Sequence, residues 1–267
     1  MKPWMVRELT WKEFKTGPRY EVAVLPMGAT EPHNLHLPYG TDTYQVEAVG
    51  DAACARAWAA GQRVALLPAI PFGTETNQNS FPWSMNLNPT TVAAIITDLV
   101  DSLTPHGVRK IVLLNGHGGN DLKWVLRQLY GKTPAHLFLC SWWKAAMDRL
   151  PEIFEDPGDH GGDLETSVMM ALEPGLVHLE RADPGSMAPT RFEAVNRGWV
   201  EITRPWHLLT TNTGAGDPRA ATAEKGRAAM EIVVERVSQF LVDLARTPID
   251  ENFPMVPHPD SHFRDQV

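Results

Sequence analysis

The sequence predicts an α/β protein with a mostly parallel central sheet and helices on both faces. Three observations carry this. Short apolar runs alternate with stretches of helical periodicity along most of the chain. One run, Ile111-Val112-Leu113-Leu114, is continuously apolar, as a strand covered on both faces must be. The β-α-β-α order of these pieces favours parallel strands joined by helical crossovers.

The first strand is Val22-Ala23-Val24-Leu25-Pro26-Met27. Residues 41–60 read as a helix, with Thr41 or Asp42 near its N-cap. Residues 63–70 form the second strand, and a loop rich in Asn, Pro and Trp runs from Pro71 to Asn88. Asn88 caps the next helix, and Pro89 opens it because the first helical N–H has no partner to lose. That helix ends near Leu103, and the third strand covers 110–114. A helix over 120–130 and a fourth strand over 136–140 follow. Residues 162–172 and 220–244 read as helices, the second long and amphipathic. Between them, 180–215 is irregular, with Trp199-Val200-Glu201-Ile202 its best strand candidate. The last segment, from about 248, reads as an extended tail. No linker composition or internal repeat divides the chain, so 1–267 reads as a single domain.

Composition excludes several classes of function. With 43% hydrophobic and 21% charged residues, the chain is typical of soluble globular proteins. A net charge of −8 argues against nucleic acid or an anionic membrane as the main partner. Cys54 and Cys140 are too few for a disulfide framework and read as buried thiols. The chain start carries no apolar leader and no run is long enough to span a membrane, so a cytoplasmic protein acting on a small molecule is expected.

The chemistry concentrates in the stretch Glu31-Pro32-His33-Asn34-Leu35-His36-Leu37-Pro38-Tyr39-Gly40-Thr41-Asp42, directly after the first strand. Carboxylate and imidazole without thiolate suit a divalent metal in hydrolytic chemistry better than a structural zinc knot. Asn115-Gly116-His117-Gly118-Gly119-Asn120 follows the third strand. In open α/β sheets, sites form at the carboxyl ends of strands. If those two strands are neighbours, Glu31, His33, Asp42 and His117 meet. The glycines around His117 also fit a plain turn or an anion-binding loop, although no Lys-Ser/Thr pair supports the latter. A third cluster, Asp159-His160-Gly161-Gly162-Asp163-Leu164-Glu165, begins a helix. Asp163 and Glu165 there are equally explained as helix-start carboxylates.

Together these segments resemble the creatininase (creatinine amidohydrolase) family. The resemblance rests on residues 25–33, 36–42, 115–120 and 160–167, and on 216–226. It implies a three-layer α/β/α sandwich, two divalent metal ions per chain (Zn, Mn or Fe) and a homohexamer. It implies that Glu31 and His117 bind one ion, His33 the other, and Asp42 bridges them. Creatinine-hydrolysing members complete the second site with a glutamate where Gly119 stands here, so Glu165 is expected to replace it. His160 matches the proton-shuttling histidine. Gly118, Trp83, Ser84, Trp142 and Trp143 are expected to contact substrate. Pro32, Asn34 and the segment Phe81-Pro82-Trp83-Ser84 depart from the family pattern around the pocket. The expected activity is hydrolysis of a C–N bond in a small cyclic or linear amide. The alternatives are hydrolysis of a C–C bond in a keto-inositol or oxidised sugar, and a non-catalytic metal-containing binding protein.

Overall fold

The structure, a computed structural model, describes residues 1–256. The tail histidines His258 and His262 lie outside the described residues. Among the described residues, four parallel strands form one sheet in the order β2-β1-β3-β4: β1 Val22–Met27, β2 Val64–Leu66, β3 Lys110–Asn115 and β4 His136–Ser141. The helices are α1 Trp11–Thr16, α2 Thr41–Ala59, α3 Pro89–Leu103, α4 Lys123–Leu129, α5 Asp163–Leu172, α6 Glu193–Asn196, α7 Trp206–Leu209 and α8 Ala223–Arg246.

Successive strand residues point to opposite faces, and both faces are covered. Val22, Val24, Val112 and Leu114 pack with Val46 and Val49 of α2, Val168 of α5, and Val233 and Val237 of α8. Ala23, Leu25, Met27, Ile111 and Leu113 pack with Val92, Ile96 and Val100 of α3 and with Val125 and Leu129 of α4. Each fully buried aliphatic side chain contributes about 1.5–3 kcal/mol, so β1 and β3 draw stability from both layers. This is why neither strand alternates in sequence, and it gives the expected three-layer sandwich.

Several elements differ in extent. The second strand stops at Leu66 instead of 70, because Pro68 has no N–H to give the ladder. Ile70 rejoins β1 as an isolated bridge to Met27. The helix expected from 120 starts at Lys123, since Asn120 is engaged in the loop: its Nδ2 donates to Asn115 Oδ1 at 3.1 Å, and its Oδ1 accepts Thr74 N–H at 3.1 Å. Asn88 holds its N-cap position without a side-chain cap bond, leaving Pro89 to set the start of α3. The expected strand at 199–202 does not form. Val200 N–H donates to Ala194 O in a local turn, and Trp199 is exposed. The tail is not extended over its described part: Phe253 packs edge-on against His136, ring centroids 4.6 Å apart.

Trp4, outside the sheet, packs against the core and donates to Asp51 Oδ1 at 2.8 Å. Trp206 is buried, and Trp11 is exposed. Cys54 is buried and Cys140 half-buried, both free, and burial pushes the Cys140 thiol up to about 11. Among the described residues no helix is long and apolar enough to cross a membrane.

Candidate metal centre

The β1–β3 register pairs Met27 with Asn115, so the loops leaving these two strands start side by side. The β1 loop carries Glu31 and His33, and α2 delivers Asp42 in its first turn. The β3 loop carries His117. A third loop brings His160, and the first turn of α5 brings Glu165. Gly116 and Gly119 permit the approach. A Cβ at 116 would sit 2.8 Å from Asp42 O, and one at 119 only 2.3 Å from His117 Nε2. Any side chain at 119 would have to displace the His117 ring and the Thr74 carbonyl.

All five expected ligands converge. Glu31, Asp42 and His117 offer ligand atoms within 4.8 Å of one another, and so do His33, Asp42 and Glu165. Asp42 belongs to both sets, with Oδ2 3.1 Å from His117 Nδ1 and Oδ1 3.1 Å from His33 Nε2. Glu31 Oε1 lies 2.7 Å from His117 Nδ1, and Glu165 Oε2 lies 3.9 Å from His33 Nε2. His160 joins Glu31 and His33 in a further grouping, its ring stacked on His33 at 4.1 Å.

Each imidazole is pinned through one nitrogen by a backbone carbonyl, which can only accept. His33 Nδ1–H donates to Glu31 O at 3.0 Å, His117 Nε2–H to Thr74 O at 3.3 Å, and His160 Nε2–H to Pro32 O at 2.9 Å. The other nitrogen of each ring therefore faces the carboxylates. That is the tautomeric arrangement of metal-ligating histidines.

The electrostatics point the same way. Burial disfavours a charged His33, yet the Asp42, Glu165 and Glu31 carboxylates outweigh it and push the imidazole up to about 10. His117 is driven well above its ordinary value, burial being overcome by Glu31 and Asp42. Burial alone would raise Asp42, but His33 and His117 hold it below the usual carboxylate range. Glu165 is raised, chiefly by burial. So many carboxylates in a dry space demand positive charge, supplied either by protons on the histidines or by cations.

Asp163, equivalent to Glu165 on sequence grounds, faces elsewhere. Its carboxylate accepts Lys225 Nζ at 2.6 Å and Ser167 Oγ–H at 2.9 Å, tying α5 to α8. Glu165 alone turns to the cluster, its Oε2 accepting Gly161 N–H at 2.6 Å. Asn34, one of the departures around the pocket, adopts φ 57°. This left-handed conformation is one asparagine tolerates.

A cavity of about 530 Å³ opens onto Glu31, Asp42, His117, Gly118, His160 and Glu165. A second, of about 370 Å³, shares Gly118, His160 and Glu165 and is walled by Trp142 and Trp143. Trp142 is mostly committed to the core, and Trp143 is half-buried. Trp83 is 80% exposed, and neither it nor Ser84 lines either cavity. The contacts not foreseen come from two segments without regular structure in the sequence pattern. Gln78 Nε2 donates to Glu31 Oε2. The Trp206 ring lies 4.8 Å from the His160 ring, and the Arg204 guanidinium, paired to Asp159, sits 4.9 Å from the Trp206 centroid.

The family model described as Creatinine amidohydrolase matches residues 7–241. The chain belongs to the creatininase family. A creatinine amidohydrolase of Pseudomonas putida is 30% identical over 263 residues, covering 88% of this chain and 95% of that protein. A mycofactocin precursor peptide peptidase of Mycobacterium tuberculosis (strain ATCC 25618 / H37Rv) is also 30% identical, covering 82% of this chain and 85% of its own length. Among solved creatininase-family structures, a candidate creatinine amidohydrolase from Bacteroides fragilis superposes with TM-score 0.87 at 34% identity, covering 94% of this chain and all of that one. A creatininase variant of Zn-Zn type gives TM-score 0.76 at 25% identity, covering 92% of this chain and 100% of that one.

Proposed function

We propose that this creatininase-family chain is a dinuclear metal-dependent amide hydrolase. One observation carries the reading: two ligand sets share Asp42, and every imidazole among them is oriented by a backbone carbonyl so that its free nitrogen faces the shared carboxylate. Glu31, Asp42 and His117 would hold one divalent ion, and His33, Asp42 and Glu165 the other. Oxygen and imidazole donors suit Zn, Mn or Fe, and the relatives include creatininases of Zn-Zn type and with Mn. When bound, such a pair supplies an acidified water and polarises the scissile carbonyl.

The chain's own residues supply the rest. His160 keeps its Nε2 proton on Pro32 O, which leaves Nδ1 facing the cluster, 3.8 Å from Glu31 Oε1. From there it would carry a proton to the leaving nitrogen, a task an imidazole suits near neutral pH. Trp206 behind it limits how far the ring can swing. Gln78 fixes the outer oxygen of Glu31 and lines the cavity. Amide cleavage is the chemistry common to the named activities of the two relatives at 30% identity. C–C hydrolysis in a keto-inositol is the second reading, favoured by the polar Thr76, Asn77 and Gln78 wall, and a relative at 23% identity is a 3-dehydro-scyllo-inosose hydrolase of Thermotoga maritima.

A panel of lactams, N-acyl amines, short peptides and keto-inositols, assayed with Zn or Mn, tests this. Turnover confined to amides is expected. Turnover of keto-inositols alone would overturn the amide assignment, and no ion in purified or reconstituted protein would overturn the metal centre. The same reading takes the chain as a cytoplasmic homohexamer, which light scattering checks.

A further inference from the structure

We propose that Glu75 is a positioning residue for His117, acting on the edge of the imidazole turned away from the metal cluster. The inference rests on the proposal that Glu31, Asp42 and His117 hold an ion. His117 presents Nδ1 to Glu31 and Asp42, at 2.7 and 3.1 Å. Its Nε2 points the opposite way, to Thr74 O at 3.3 Å and Glu75 Oε1 at 3.6 Å.

Glu75 is wholly buried, and neither carboxyl oxygen has a hydrogen-bond partner. Thr74, Thr76, Asn77 and Gln78 line the large cavity, but Glu75 does not, so it sits behind His117 rather than against substrate. Its backbone N–H donates to Asn86 Oδ1 at 2.9 Å, which anchors the loop at this residue. A buried carboxyl without partners is costly to keep. Among the described residues its only ion-pair contact is His117.

The chemistry gives that contact a purpose. An imidazole that ligates through Nδ1 must keep its proton on Nε2. A carboxylate facing that proton holds the tautomer, fixes the ring plane and makes Nδ1 a better donor. Thr74 O takes the proton directly, and the buried Glu75 carboxyl stands beside it as a second oxygen, 3.6 Å from Nε2. Shortening the 3.6 Å contact by about half an ångström would make it a second hydrogen bond.

Chelator competition on zinc-loaded protein tests the role, comparing wild type with Glu75→Gln, Glu75→Ala, His117→Ala and Glu165→Gln. Glu75→Gln keeps the volume and one acceptor oxygen but removes the second oxygen facing the imidazole edge. It is expected to release one of two zinc ions about 10- to 100-fold more readily, the same ion that His117→Ala abolishes and Glu165→Gln spares. Its thermal midpoint without metal should stay close to wild type. Equal weakening of both ions, or zinc retention unchanged in Glu75→Gln, would overturn the proposal. If Glu75→Ala fails to fold, the glutamine variant decides alone. Absence of zinc binding in wild type would instead defeat the metal centre on which the proposal stands.

Discussion

The two halves of the cluster share one carboxylate but are assembled by different means. Glu31 and His117 stand on loops leaving β1 and β3, adjacent strands whose paired ends bring them together. Their contacts with each other and with Asp42 are tight, 2.7 and 3.1 Å. The half built on His33 and Glu165 spans 3.9 Å between those two groups and depends on α5, which is not part of the sheet. Its support is indirect. Glu165 is held by Gly161 N–H, its carbonyl accepts Gln45 Nε2–H at 3.0 Å, and Thr166 beside it meets His36 Nε2 at 2.8 Å. The first half rests on paired strand ends, and the second on how α5 packs. The first half should therefore bind its ion more tightly.

The largest effect tests what the halves share. Asp42→Ala is expected to reduce metal content from about two ions per chain to none, measured by elemental analysis. Retention of one ion would mean that one half stands without the shared carboxylate. Next, His160→Ala should leave both ions in place and lower turnover about 10²- to 10⁴-fold. Loss of an ion there would instead make His160 a ligand, which its grouping with Glu31 and His33 makes a fair test.

A more selective change follows. Glu165→Gln should weaken the second ion by more than about 100-fold, beyond the penalty for losing an outer partner, and leave the first untouched. Simultaneous loss of both would show that the halves do not bind independently.

The smallest effect concerns the support of the second half. Burial, reinforced by the neighbouring His33 charge, pushes His36 down to about 4 from an ordinary 6.5. The folded protein thus favours the neutral ring, and the unfolded chain takes up the proton first. The contribution is fully present above about pH 6.5 and is lost as pH falls towards about 4, amounting to about 3 kcal/mol at most. Urea midpoints at pH 7.5 and 5 should differ less in His36→Gln than in wild type. An unchanged difference would remove His36 as a source of acid sensitivity.

Much of the site was legible because metal ligands come in local clusters. Glu31, His33 and Asp42 lie within one short stretch after a strand, and His117 occupies the equivalent place after another. The choice between Asp163 and Glu165 was not legible from the helix start alone. Both occupy the first turn of α5, and only the position of Lys225 on α8 decides which one is already engaged. Glu75 lies in the loop from Pro71 to Asn88, where nothing local tells a solvated carboxyl from one folded behind a histidine. Trp206 could be read only as core or interface, since its segment lacks periodicity and its neighbour His160 is distant in sequence.

By itself, the sequence determined the layered α/β architecture, the order of its main elements and the donor chemistry at the strand ends. These follow from hydrophobic periodicity and from short motifs, both of which act over a few residues. Only the tertiary structure decided the length of β2, the absence of a strand at 199–202, the commitment of Trp142 to the core and the outward placement of Trp83. It also decided which carboxylates meet the histidines. Each of these depends on which distant segment lies opposite, and burial or charge pairing across that contact is set when the layers close.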